Sequence, residues 1–250
     1  MPFTAAHPAI VLPLKYKFGR LFSTTGLVIG SIAPDFAYFL SPIITTRVSH
    51  TLKGVVLFNL PVTFILAVVF HAIVREQIIR FLPPSLACRA AVATHARWFA
   101  YLRKHWLIFL GSAILGILSH LLWDSFTHYS GFFVRHIALL RKPVDFFGNA
   151  LPLCRWVQHF STVAGLTAIS IYVYQLPVYT YATGRKYGWL FFWIVVVASG
   201  LLLFLLKTPE IHSVAQVEQW VVRFLSGCLA AVILLTAFFK LRQRMFRVGE

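Results

Sequence analysis

The sequence predicts an all-α protein: a polytopic helical transmembrane bundle of about six spans, preceded by a short partial helix at the N-terminus. Three observations point there. Of the 250 residues, 59% are apolar and only 12% charged, against about 25% charged in soluble domains. Runs of about 20 apolar residues, enough to cross a hydrocarbon core ~30 Å thick, recur along the chain. Lysine and arginine gather in alternate connections between those runs, as they do on the cytoplasmic side of bilayer proteins.

Each element has its own signal. Residues 7–18 are too few to span and read as a partial or tilted helix that turns back near Gly19. Residues 23–40 form a candidate span interrupted by Gly30, Pro34 and Asp35, tolerable where neighbouring helices cover the freed backbone groups. The clearest spans are residues 54–74, 106–126, 161–181, 188–206 and 221–239. Between the first two of these, residues 75–105 mix Arg89, Arg97, Arg103 and Lys104 with Trp98, Phe99, Tyr101 and Leu102, the pattern of an interfacial helix. No internal repeat or low-complexity tract is visible. One membrane domain, 1–250, is expected, with residues 1–165 bearing the motifs and residues 166–250 adding further transmembrane helices.

The formal net charge is +16. Four basic groups fall on one side of the spans: Lys15, Lys17 and Arg20; Arg75, Arg80, Arg89, Arg97, Arg103 and Lys104; Arg185 and Lys186; and Lys240, Arg242, Arg244 and Arg247. The other connections are less basic and contain Asp145, Glu210 and Glu218, so they are assigned to the non-cytoplasmic face. Membrane lipid is the expected partner, and the location a multi-pass protein of the cell (inner or plasma) membrane. Nucleic acid is excluded, because the cations are scattered between apolar spans with no soluble element to present them. Cys88, Cys154 and Cys228 are odd in number and widely spaced, which suggests neither a disulfide framework nor a thiolate site. The first residues lack a basic region before the apolar stretch, which argues against a cleaved signal.

Two of the three aspartates, Asp35 and Asp124, sit in apolar runs, where an ionisable group costs at least ~2.5 kcal/mol and is a functional-site hypothesis by default. His120, Asp124 and His128 lie four apart, about 40° apart around a helix, and so form one stripe. Imidazole plus carboxylate suits zinc, manganese or iron; a polar seam satisfied by neighbouring helices would use the same residues. Pro34-Asp35 also fits a solvated kink, but a divalent cation is the obvious way to neutralise two intramembrane carboxylates. The charge-based orientation brings Asp35, His50, Asp124, His128 and His159 to one membrane face, and His7 joins them if the first helix starts there. His71, His95, His105 and His212 fall on the other face or in charged surroundings. Arg47, Arg135, Arg141 and Lys142 suit either an anionic headgroup or juxtamembrane anchoring. There is no Gly-rich phosphate loop, GxSxG elbow or HExxH pair.

These segments, Phe3-Thr-Ala-Ala-His7-Pro, Gly30-Ser-Ile-Ala-Pro34-Asp35-Phe, Ser49-His50-Thr, Ser119-His120-Leu-Leu-Trp-Asp124-Ser-Phe-Thr-His128 and Gln158-His159, resemble a bacterial family of integral membrane proteins known as a domain of unknown function. That family looks related to the membrane-bound metal-dependent hydrolases. The resemblance covers roughly residues 1–165. The hydrolases have a starting His, a Gly-x-x-x-Pro-Asp motif, a Thr-His-Ser loop and a His-x-x-x-Asp helix, which match His7, Asp35, His50, His120 and Asp124. Ala37 stands where they have a second acid, and the Arg before their loop His is not at the same spacing here. Those departures imply fewer metals, or a metal kept without catalysis.

The resemblance implies a hydrolase acting on an ester or phosphoester of a lipid-like substrate. His7, Asp35, His50, His120 and Asp124 would hold a divalent metal ion, zinc first and manganese or iron as alternatives. His128 and His159 would support the ligands or carry protons in catalysis. The alternative class is non-enzymatic: a metal-stabilised membrane protein, or an ion or solute transporter, although the repeated halves typical of transporters are not found.

Overall fold

Proline suits a first helical position, where its missing N–H would have no partner, and Pro8 opens helix α1, Pro8–Lys17. Ser23 caps α2, Thr24–Ile32, its hydroxyl accepting from the Gly26 N–H at 3.3 Å, as a good N-cap does. Pro34 then ends the regular ladder. The chain tightens into a 3₁₀ turn, Ala33–Asp35, and continues as the single helical turn Phe36–Phe39. The segment expected as one span over residues 23–40 is therefore broken at Asp35.

The computed structural model describes residues 3–40, 46–95, 97–146, 148–181, 188–206 and 214–248. Arg185, Lys186, Glu210 and His212 lie outside them. The described chain is mostly helical, with α3 over Leu52–Arg80, α4 over Trp98–Thr127, α5 over Leu153–Gln175, α6 over Gly188–Leu205 and α7 over Val214–Val248. Two π-helical turns, Val55–Asn59 and Phe70–Val74, interrupt α3, and α4 kinks at His105, whose backbone is not helical.

Among the described residues, four helices are long and apolar enough to cross a membrane: Leu52–Arg80, Trp98–His136, Gly188–Leu205 and Gln219–Phe246. Helix α5 overlaps the expected 161–181 span but starts eight residues earlier, and its first turns carry Arg155, Gln158 and His159. They make it too polar to rank with the four. The one departure from all-α architecture among the described residues is an antiparallel hairpin, β1 Pro143–Phe146 with β2 Asn149–Pro152, in which Val144 pairs with Leu151. Gly148 takes a φ of +78° in its turn, a conformation natural to glycine.

Contacts divide the chain into two compact units, Met1–Ala67 with Phe99–Gln175, and Val68–Trp98 with Leu176–Glu250. In the first, α2 lies directly on α4. A Cβ at Gly26 would sit 2.7 Å from the Phe109 carbonyl oxygen, and one at Gly116 would collide with the Leu27 carbonyl. Small residues thus let the two backbones touch, as in membrane helix pairs. In the second unit, α6 packs on α7 through Phe192, Val196 and Ala231, with Gly200 and Gly227 at an equally close approach.

Candidate metal centre

His120, Asp124 and His128 form the expected stripe on α4, and Gly116 lies one turn earlier on the same face. Because α2 touches α4 at that glycine, the Ser31 carbonyl comes within 2.8 Å of His120 Nδ1. A carbonyl only accepts, so Nδ1 carries the proton and Nε2 presents a lone pair. That lone pair faces two carboxylates, Asp35 Oδ1 at 3.4 Å and Asp124 Oδ2 at 3.3 Å. His50 reaches the same two oxygens from the loop before α3, its Nε2 3.7 Å from Asp35 Oδ1 and 3.4 Å from Asp124 Oδ2.

Asp35, His50, His120 and Asp124 therefore form a group able to hold a metal ion, each offering one donor atom and all four atoms within 4.8 Å of one another. Asp35 and His120 are 1% and 0% exposed and Asp124 6%. Asp35 Oδ1, His120 Nε2 and Asp124 Oδ2 are buried without any hydrogen-bond partner, although buried polar groups are nearly always satisfied. The spacing fits a cation. Donors about 2.0–2.2 Å from a tetrahedral zinc lie roughly 3.3–3.6 Å from one another; the four carboxylate–imidazole separations run from 3.3 to 3.7 Å, and the remaining two pairs lie within 4.8 Å.

Supports outside the group fix its members. Thr4 Oγ1 donates to Asp35 Oδ2 at 2.6 Å, leaving Oδ1 to face inward. Ser49 Oγ lies 2.9 Å from His50 Nδ1. Such partners orient a ligand and set its tautomer. Burial opposes a charge on His50, but the nearness of the Asp124 and Asp35 carboxylates outweighs it and raises this imidazole to about 9.

A family model described as a domain of unknown function, DUF4184, matches residues 1–237. The chain belongs to the DUF4184 family. The match runs well past residue 165, so the later helices are part of the DUF4184 domain and not generic additions to it. The family description assigns no activity and carries no link to hydrolases. No curated protein and no solved structure matches the chain.

Within this DUF4184 chain, His7 is brought to the group but not into its four-atom core. It is 2% exposed, stacks on His120 with ring centroids 3.9 Å apart, and sets Nε2 3.4 Å from Asp124 Oδ1, the oxygen facing away from the core. His128 flanks the same oxygen at 3.5 Å and donates from Nδ1 to the Asp124 carbonyl at 3.1 Å. His159 is not brought in. It is exposed, lies edge-on to Trp156 at 6.3 Å, and makes no hydrogen bond, ion pair or ring contact with the other site residues. One helical step of about 100° separates it from Gln158, and it is Gln158 that turns inward, 4% exposed.

His71, set aside from sequence, stacks flat on Trp98 at 4.4 Å, in the second unit. Sequence reasoning missed Thr4 and Ser31. Thr4 lies in the Phe3-Thr-Ala-Ala-His7 motif and was legible as a polar residue beside a ligand candidate. Ser31 acts through its backbone carbonyl, which side-chain identity does not reveal.

Proposed function

We propose that this protein is a membrane-bound, metal-dependent hydrolase acting on an ester or phosphoester of a lipid-like substrate. Its site opens at the non-cytoplasmic face of the cell (inner or plasma) membrane, and its helices make about six spans. The observation that carries the reading is the set of three buried, unpartnered donor atoms turned on one another, Asp35 Oδ1, His120 Nε2 and Asp124 Oδ2. The asymmetric distribution of Lys and Arg supports the orientation.

Asp35, His50, His120 and Asp124 hold the ion, zinc first and manganese or iron as alternatives, and His7 backs it through the far oxygen of Asp124. When bound, the cation supplies Lewis-acid polarisation of the scissile ester or phosphoryl group. His128 has its Nδ1 proton engaged by the Asp124 carbonyl, so Nε2 is the atom that accepts and returns a proton. Ser31 and Thr4 keep the donors oriented throughout. A cavity of about 270 Å³ between α1, α4 and α5, whose lining includes Ala6, His7, Ile10, Trp123, Ser161 and Ala164, lies against His7. Its nearly apolar lining supports a lipid-like substrate.

A second reading is favoured by the donor count. Four protein ligands close a tetrahedral shell, as in structural sites, whereas catalytic sites keep a position open. Purified protein loaded with zinc, manganese or iron(II) and offered phospholipids and phosphodiesters distinguishes the two. Catalysis predicts turnover that Asp124→Asn abolishes while the protein stays folded. A structural metal predicts no turnover in any loading and unfolding of His120→Ala.

A further inference from the structure

His50 is the one member of the four-atom group carried by a loop, and the one whose side chain is appreciably exposed, at 24%. The loop is nonetheless tightly built. Thr51 Oγ1 donates to the Val48 carbonyl at 2.8 Å and accepts from the Gly54 N–H at 3.0 Å. A Cβ at Gly54 would collide with the Val48 carbonyl, so only glycine lets α3 begin this close to the loop. These contacts close the loop on itself.

Asn59 ties the loop to α3. Its Nδ2 donates to the Ser49 carbonyl at 2.7 Å, and both residues are 0% exposed. Asn59 ends the π-helical turn Val55–Asn59, and its own carbonyl accepts from Thr63 Oγ1 at 2.7 Å. A π-turn inserts one extra residue into the ladder and rotates the rest of the helix, and such turns recur at functional sites. An amide buried at the start of an apolar helix is costly unless it does something there, and its Oδ1 is left without a partner. Ser49 is thus held by its carbonyl on one side while its hydroxyl meets His50 Nδ1 on the other.

We infer that Asn59 is a positioning residue for the metal ligand His50, acting through the Ser49 carbonyl. This rests on the reading of the four-atom group as a metal site. Removing the Asn59 donor takes away a buried hold on the Ser49 peptide, so the aim of His50 Nε2 at Asp35 and Asp124 loosens while the other three donors, carried by α4 and by the turn after α2, keep theirs.

The test uses cobalt(II) as the probe, added to the full-length protein in detergent, with affinity and the visible absorption of a four-coordinate site as readouts. Asn59→Asp keeps the side chain's size and removes the donor. It is expected to weaken cobalt binding 10- to 100-fold, the range for partners that orient ligands, and to diminish the visible bands. Combined with His50→Ala it is expected to add no further loss, because its effect passes through His50; a general structural role would add to that variant. Asn59→Ser, too short to reach Ser49, serves if Asn59→Asp does not fold. Unchanged affinity, or full additivity with His50→Ala, would overturn the inference and leave the metal reading standing. Failure of both variants to fold would overturn it too, since Asn59 would then hold the fold and not the ligand. A wild-type protein that binds no cobalt would overturn both.

Discussion

In the unit formed by residues 68–98 and 176–250, Gln77, Thr236 and Lys240 each meet an ordinary hydrogen-bonding partner. Gln77, 1% exposed, donates from Nε2 to Gln243 Oε1 at 2.9 Å and receives a longer bond at 3.5 Å in return. Thr236 returns its hydroxyl to the Val232 carbonyl of its own helix at 2.7 Å. Lys240 caps the Ala72 carbonyl in the Phe70–Val74 π-turn. In the unit formed by residues 1–67 and 99–175, the buried polar groups include, beside neutral ones such as Asn59 and Gln158, carboxylates and imidazoles that confront each other at 3.3–3.7 Å. Neutral amide pairs contribute roughly 0.5–1.5 kcal/mol each and glue helices together. Carboxylates facing lone pairs do not, because desolvating the charges is costly until something positive lies between them. One chain therefore shows both uses of buried polarity, and only the second calls for a cation.

The two units are expected to differ most at the aspartates. Asp35→Ala and Asp124→Ala are each expected to lower bound metal from about one ion per chain to a small fraction, with affinity down at least ~100-fold. Elemental analysis of purified protein measures this. Stoichiometric metal in both variants would remove these residues as ligands.

The pH dependence of metal uptake sharpens the contrast. His50 is raised to about 9 in the cation-free site, so at neutral pH it is protonated, and a metal ion must displace that proton. Apparent affinity is expected to climb about tenfold per pH unit up to pH ~9 and then level off, with protons released on binding. Calorimetry in buffers of differing ionisation enthalpy counts them. The neutral Gln77–Gln243 pair introduces no such dependence.

The smallest effect on metal comes from the other unit. Gly227→Leu would drive a side chain into the Ser199 backbone, at a cost of about 1–3 kcal/mol, visible as a lowered thermal midpoint. Metal content is expected to stay at its wild-type value in protein that remains folded. Loss of metal from this variant would mean that the two kinds of buried polarity are not separable.

Much of the site was legible because its signals are local or set by charge. The spacing of His120, Asp124 and His128 needs only the helical repeat, and the Lys/Arg distribution assigns Asp35 and His50 to the same membrane face as that stripe. The rest depends on which way a single residue turns. Gln158 points in and His159 out, a choice made where α5 starts at Leu153 after the hairpin, and the apolar pattern places that start eight residues late. The break at Ala33–Asp35 was visible as Pro34, but its consequence was not: it sets the Asp35 carboxylate beneath Thr4, from a segment 31 residues earlier. Backbone acceptors such as the Ser31 and Ser49 carbonyls leave no trace in residue type. The close contact at Gly116 that delivers the Ser31 carbonyl reads, in sequence, as one more small residue in an apolar run.

The most direct measurement is X-ray absorption spectroscopy at the metal edge of protein loaded with one zinc per chain. A mixed shell of nitrogen and oxygen donors at about 2.0–2.2 Å, with the outer scattering of two imidazoles that falls to one in His120→Ala, is the predicted result. Failure to retain zinc, or a shell without imidazole, would contradict the claim that Asp35, His50, His120 and Asp124 converge on one cation.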